Sequence, residues 1–251
     1  MRRILYLGDG TLSTSARYLA GILKYYRIPF DHVPTDRRFT GKTLRRRYTL
    51  FIISDYPSRH LPNRLQKEMA RKVREGSGLL MIGGWSTFTG VDGRYRGTPI
   101  GKLLPVTLSR NDDRVNAQGG ALVFPKKDHT VLKGLSFRTT PVIAGFNRLT
   151  AKVSSGVVLE ARPILARYGK IALDRKRYPL LVISRYGKGK VAAFATDVAP
   201  HWVGSLVDWG KRRVKIRLSK TIQIEIGESY LRFLGQLVKF LQQPVGKQVN
   251  D

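Results

Sequence analysis

The chain has 251 residues, 46 of them Lys or Arg against 17 Asp or Glu, and so carries a formal charge of +29. Hydrophobic residues make up 42% and aromatics 10%, enough to build a core and to exclude a disordered chain despite the charge. Cysteine is absent, which excludes disulfides, thiolate zinc sites, iron–sulfur clusters and a cysteine nucleophile together.

The first third alternates strand and helix patterns. Ile4–Gly8 is a short apolar run ending in glycine, as a buried parallel strand would. Leu19, Ile22, Leu23 and Tyr26 then share one helical face, while Arg17, Lys24 and Arg27 lie mostly off it. Phe30–Val33 and Thr49–Ser54 read as the second and third strands. Pro62 opens a second helix with Leu65, Met69 and Val73 at spacing four, and Leu79–Ile82 makes a fourth strand ending at Gly83-Gly84. This repetition predicts a doubly wound, mostly parallel sheet with helices on both faces.

Residues 85–118 are rich in Gly, Arg, Asp and Thr and read as a long loop region. Ala121–Phe124, Val142–Phe146 and Val157–Ala161 follow as strands, and Tyr178–Ser184 and Lys190–Thr196 flank a hairpin turn at Tyr186-Gly187-Lys188-Gly189. Val214, Ile216 and Leu218 alternate with Arg213, Lys215 and Arg217, and Ile222, Ile224 and Ile226 answer them, so Arg213 to Ile226 is expected as an exposed hairpin arm suited to self-association. A helix after Gly227 carries the stripe Leu231, Leu234, Val238 and Leu241 and ends at Pro244. With no repeat and no clear linker, residues 1–251 read as one domain: a regular core over 1–84, an elaborated region with β-hairpins over 85–226, and a closing helix over 227–243. No run approaches the roughly 18 apolar residues of a membrane span, and Ile4–Leu7 is too short for a signal peptide. A cytoplasmic protein that does not enter membranes is the expectation.

Two motifs fail on inspection. Gly41-Lys42-Thr43 resembles the end of a phosphate-binding loop, but Asp36 stands where that loop needs a glycine, and its carboxylate repels phosphate. Gly187-Lys188-Gly189-Lys190-Val191-Ala192 leads into a strand, so no helix N-terminus awaits a pyrophosphate. His32, His60, His129 and His201 are scattered, and no spacing proposes a metal site or a cofactor.

Longer segments carry a resemblance. Arg74-Glu75-Gly76-Ser77-Gly78-Leu79-Leu80-Met81-Ile82-Gly83-Gly84, continued by Trp85 to Gly90, Gly97-Thr98-Pro99 and Leu104-Pro105-Val106, is one signature. Ala193-Phe194-Ala195-Thr196-Asp197-Val198-Ala199-Pro200-His201-Trp202 is a second, with Val207-Asp208-Trp209-Gly210 and Gly227-Glu228-Ser229-Tyr230 after it. Together they resemble the class I glutamine amidotransferase-like proteins, in their uncharacterised bacterial cytoplasmic branch. The resemblance implies a flavodoxin-like α/β fold. It also implies that the turn that holds the family's cysteine reads Gly83-Gly84-Trp85 here, and that His201 falls near the family's histidine. Without sulfur the thiolate route to glutamine hydrolysis is closed.

Ligands of open α/β sheets gather at the carboxyl ends of the strands, a rim that here collects Asp9 to Ser13, Asp55-Tyr56, Gly83 to Thr87 and Asp197 to Trp202. Gly83 and Gly84 are expected to offer bare backbone amides to a ligand, with Asp9, Trp85 and Trp202 as further contacts. His201 is a candidate general base oriented by Asp197, with Ser86 as a replacement nucleophile in a Ser–His–Asp arrangement. The plainer alternative makes Gly83-Gly84 a tight turn, Asp197 a loop cap, and the tryptophans packing residues. A small-molecule ligand at this rim is the leading expectation. The rival is a noncatalytic protein whose clusters Arg37-Arg38, Arg45-Arg46-Arg47, Lys126-Lys127, Arg175-Lys176-Arg177 and Lys211-Arg212-Arg213 attract nucleic acid or an acidic protein partner.

Overall fold

A computed structural model describes residues 3–246. The first strand β1 (Arg3–Gly8) leads through α1 (Arg17–Tyr25) to β2 (Phe30–Val33). Next come β3 (Tyr48–Ser54), α2 (Asn63–Arg74) and β4 (Gly78–Ile82). The apolar stripes behave as their spacing requires: Leu19, Ile22 and Leu23 of α1 and Leu65, Met69 and Val73 of α2 are buried. β2 and β3 lie on opposite sides of β1, and all neighbouring pairs in β2–β1–β3–β4 are parallel. Right-handed crossovers in opposite directions put α1 and α2 on opposite faces of the sheet.

Past β4 the chain passes through α3 (Pro99–Leu103), β5 (Val106–Thr107), β6 (Arg114–Pro125), β7 (Val142–Asn147) and β8 (Thr150–Ala151). Then follow β9 (Gly156–Arg167), β10 (Lys170–Leu173), β11 (Tyr178–Tyr186), β12 (Gly189–Phe194) and α4 (Pro200–Val203). The hairpin β13 (Arg213–Arg217) and β14 (Gln223–Gly227) precedes α5 (Glu228–Leu241). The main sheet has ten strands in the order β2-β1-β3-β4-β12-β11-β9-β6-β7, with β10 beside β9. β12 runs parallel to β4, and from β12 outward the pairs are antiparallel. The strands β1, β3 and β4 are mostly apolar and almost wholly buried because both faces are covered, whereas an outer antiparallel strand such as β6 is only partly buried. Helix α5 lies behind β4 and β12, with the rings of Phe233 and Phe194 5.6 Å apart, and packs on α1.

Three expectations change. The segment 85–118 is not wholly loop. Thr98 Oγ1 accepts from the Gly101 N–H and Pro99 starts α3, a cap and first-turn proline legible in the sequence. The strand expected at Ala121–Phe124 begins earlier, at Arg114, because Arg114 to Asn116 pair with Gly145 to Asn147 before a bulge resets the register at Ala121. The Arg213–Ile226 arm is not a free projection. Ile216, Ile224 and Ile226 are buried, the hairpin packs on α1, and Lys24 Nζ donates to the Leu218 carbonyl at 2.7 Å. Among the described residues no helix is long and apolar enough to cross a membrane.

Candidate functional site

The strand order reverses between β1 and β3, and the crevice at their carboxyl ends is where such sheets receive ligands. Each strand ends there in an aspartate with left-handed backbone, Asp9 with φ 58° and Asp55 with φ 46°. Such backbone is uncommon outside glycine, and Asp is among the few side chains that tolerate it. The two ends touch. Gly8 has φ 120°, the Asp9 N–H donates to the Ser54 carbonyl at 3.0 Å, and a Cβ on Gly8 would overlap that carbonyl oxygen.

Asp9 forms the floor. Its carboxylate accepts from Tyr6 Oη and from Ser54 Oγ at 2.9 Å and is 3% exposed. Burial and the neighbouring Asp55 charge raise its pKa to about 7, against the lowering effect of the two hydroxyl donors. Asp55 accepts from the Ser86 N–H at 2.7 Å, and its own carbonyl accepts from Thr35 Oγ1. Burial lifts its pKa, while the Ser86 and Trp85 amides and the nearby His201 favour the charged form. Asp197, just past β12, is raised well above the carboxylate range by burial and by Asp9 and Asp55. The phenols of Tyr6 and Tyr230 are raised by burial and by Asp9 and Asp197. A chain with only 17 acidic residues thus sets three of them in one mutually repelling group. Among the described residues no group of three or more His, Asp or Glu side chains is placed to hold a metal ion.

The turn after β4 forms one wall. Gly83 N–H donates to the Phe194 and Thr196 carbonyls, at 2.7 and 3.1 Å, and Gly84 N–H donates to Asn147 Oδ1 at 3.0 Å. The bare amides expected here are therefore already engaged. What Gly84 provides is closeness: with φ 147°, a Cβ would overlap Asp55 Oδ1. Asn147 also donates to the Gly84 carbonyl and to Asp113 Oδ1, and Asp113 in turn accepts from the Thr89 and Gly90 N–H groups. Trp85 stands at the mouth, 45% exposed, with the Arg114 guanidinium 4.4 Å above its ring and the His201 ring 6.2 Å away, edge-on.

The Ser–His–Asp arrangement is not assembled. Asp197 Oδ1 caps the Val198 and Ala199 N–H groups at 2.5 and 3.2 Å, and no hydrogen bond joins His201 to Asp197 or to Ser86. No left-handed residue occurs at Trp85 or Ser86 and no helix opens behind them, so the strained strand-to-helix elbow of a nucleophilic serine is missing. Trp202 leaves the ligand contacts: it is 2% exposed, and its indole N–H donates to Asn116 Oδ1 at 2.8 Å. Residue reading alone missed Tyr6, Ser54, Asn147, Asp113 and Arg114. The first two are isolated polar groups in apolar strands, a readable signal; the last three arrive from distant segments and leave none.

The family model described as "Putative glutamine amidotransferase" matches residues 48–220, more than half of the chain. The chain belongs to that family. It does so without any cysteine in its sequence. Among solved structures it is similar to the cytoplasmic protein STM1381 from Salmonella typhimurium LT2, at 27% identity and TM-score 0.73 over 95% of this chain and 99% of that one. It is also similar to the cytoplasmic protein STM3548 from Salmonella typhimurium, at 23% identity and TM-score 0.71 over 95% and 98%. A ThuA-like protein from Parabacteroides merdae shares the fold at 12% identity and TM-score 0.59, over 100% and 94%. None of the curated proteins compared matches the chain.

Proposed function

We propose that this family member is not a glutaminase but binds a small neutral or cationic metabolite, rich in hydroxyl or amino groups, at the crevice between β1 and β3. The observation that carries the reading is the pair Asp9 and Asp55, each in left-handed backbone at the switch point and each raised in pKa by burial. Strained backbone persists where surrounding structure enforces it, and it concentrates at working sites. Carboxyl groups on the floor accept hydrogen bonds from hydroxyl or ammonium groups and repel carboxylates. Asp9, raised to about 7, can hold or release a proton near neutral pH, and the His201 ring stands beside Trp85 at the rim. Hydrolysis, if the bound molecule undergoes it, would use water activated between these groups, with no enzyme-bound intermediate on Ser86.

A thermal-shift screen of wild type and His201→Ala against neutral, cationic and anionic metabolites tests this, because a ligand of the folded state raises the midpoint by mass action. The expected result is a neutral or cationic compound that stabilises wild type and stabilises the variant less. Stabilisation by carboxylates alone, indifferent to His201, would overturn it. A second reading rests on charge. Among the described residues Arg45 and Arg47 are exposed and take part in no ion pair, while Arg46 between them pairs with Asp31, so Arg45 and Arg47 are the cations of this edge available to nucleic acid or an acidic partner. Salt-sensitive oligonucleotide binding that Arg45→Glu with Arg47→Glu removes, and that His201→Ala leaves, would favour it.

A further inference from the structure

A cavity opens at the end of the sheet opposite Asp9 and Asp55. The first and last residues of β12 are about 17 Å apart, and Lys190 near its amino end lines a cavity of about 870 Å³. Lys102, Lys127, Lys152 and Arg185 join it, together with His129, and no acidic residue lines the cavity among those described. None of the five cations is in an ion pair among the described residues. They come from four segments, with Arg185 and Lys190 facing each other across the β11–β12 hairpin, so the gathering is a product of the fold and not of a run in the sequence.

The groups are held in place. Lys152 Nζ donates to the Lys102 carbonyl at 2.8 Å, and Lys190 Nζ donates to the Phe240 carbonyl at 3.1 Å while lying 4.0 Å from the centre of its ring. Lys127 Nζ sits over Gly156, where a side chain would displace it. His129 Nδ1 accepts the Val131 N–H, which leaves the proton of the neutral ring on Nε2 as a donor. Ser155 Oγ, in the cavity wall, is buried and has no hydrogen-bond partner. Burial lowers the pKa of Lys152 and of Lys190, the latter also through Arg185, and His129 is lowered by burial and by Lys127 and Lys190. Like charges are crowded here without a counter-charge.

We propose that this cavity is a binding site for a small organic phosphate carrying at least two negative charges, separate from the carboxyl-floored crevice. Ammonium groups act on phosphate as point charges from several sides, whereas a lone carboxylate is better matched by a single guanidinium fork. The volume falls in the range of small-molecule sites, and Val158, Ile183 and Phe240 add an apolar wall for the organic part. A nucleic-acid strand is less well served, because it needs free aromatic faces for its bases. Lys190 lies over Phe240, and the Arg74 guanidinium lies 5.3 Å over Tyr186.

The test is calorimetric titration of inorganic pyrophosphate at physiological ionic strength into wild type, Lys127→Glu with Lys152→Glu, and the charge-matched surface variant Arg45→Glu with Arg47→Glu. Saturable binding to wild type is expected, lost about tenfold or more in the cavity variant and kept within about twofold in the surface variant. Ser155→Ala, which alters no charge, is expected to weaken binding several-fold with an unchanged melting temperature, and serves if the double variant does not fold. Equal weakening in the two charge variants, or no saturable binding to wild type, would overturn the proposal. So would a single-stranded oligonucleotide that binds more tightly than pyrophosphate and loses its binding in the cavity variant.

Discussion

The two ends of β12 make opposite electrostatic choices. Beyond its carboxyl end, Asp197 joins Asp9 and Asp55 in a buried acidic group, each pushed toward its neutral form. Near its amino end, Lys190 joins four other cations around a cavity, where burial lowers the pKa of Lys190 and Lys152, with Arg185 adding to the effect on Lys190. A net charge of +29 describes neither place. What decides local chemistry is which segments the sheet brings together: the acidic end is built by tight parallel strand ends with shared hydrogen bonds, the basic end by loops around a void. The acidic end should therefore be mechanically unforgiving and the basic end tolerant.

The sharpest way to break that contrast is Gly8→Ala. Its methyl group would fall on the Ser54 carbonyl, a backbone atom of the neighbouring strand that cannot swing aside. Denaturant unfolding should show a loss of about 4 kcal/mol or more, or no folded protein. Next in size is Asp113→Ala, which orphans the Thr89 and Gly90 amides and one proton of the Asn147 side-chain amide, at an expected cost of about 2–4 kcal/mol in the same assay.

The pH dependence sharpens the comparison. Asp9 has a folded pKa of about 7, above its value in an unfolded chain, so the folded state holds the extra proton between those two values. Its contribution is most favourable below the unfolded pKa and declines as pH rises through the folded one. The Asp9 contribution to wild-type stability should fall by about 3–4 kcal/mol from pH 4 to pH 8, and Asp9→Asn, which also tolerates left-handed backbone, should flatten the slope. Unfolding free energies measured across that range check both. The smallest effect belongs to the surface: Arg212→Ala removes a 2.7 Å pair with Glu228 in which Arg212 is 82% exposed, and should leave the unfolding midpoint essentially unchanged.

The parallel half of the fold is legible residue by residue. The apolar runs of β1, β3 and β4 and the stripes of α1 and α2 stand where spacing puts them, because burial on both sides leaves a continuous signal. The antiparallel half is less so. Half-exposed strands such as β6 carry Asn, Gln and Gly beside their apolar residues, and its bulge breaks the alternation that would reveal it. The short helix at Pro99 is announced by Thr98 but hidden by the glycines around it. At the site, the rim position of Asp9, Asp55 and His201 follows from strand order. The use of Gly83 and Gly84 amides by Phe194, Thr196 and Asn147 depends on contacts across more than 60 residues and no local pattern records it, whereas the Asp197 cap on Val198 and Ala199 is local and is open to a sequence reading.

On the proposed function, the crevice between β1 and β3 holds carboxyl groups able to exchange a proton near neutral pH. Carbon-13 NMR titration of the aspartate side-chain carboxyls, with Asp9→Asn and Asp55→Asn to assign them, reads this directly. The Asp9 carboxyl is expected to titrate close to pH 7, with its midpoint dropping when Asp55 is neutralised. A midpoint near 4 for Asp9 in the folded protein, unmoved by Asp55→Asn, would contradict it.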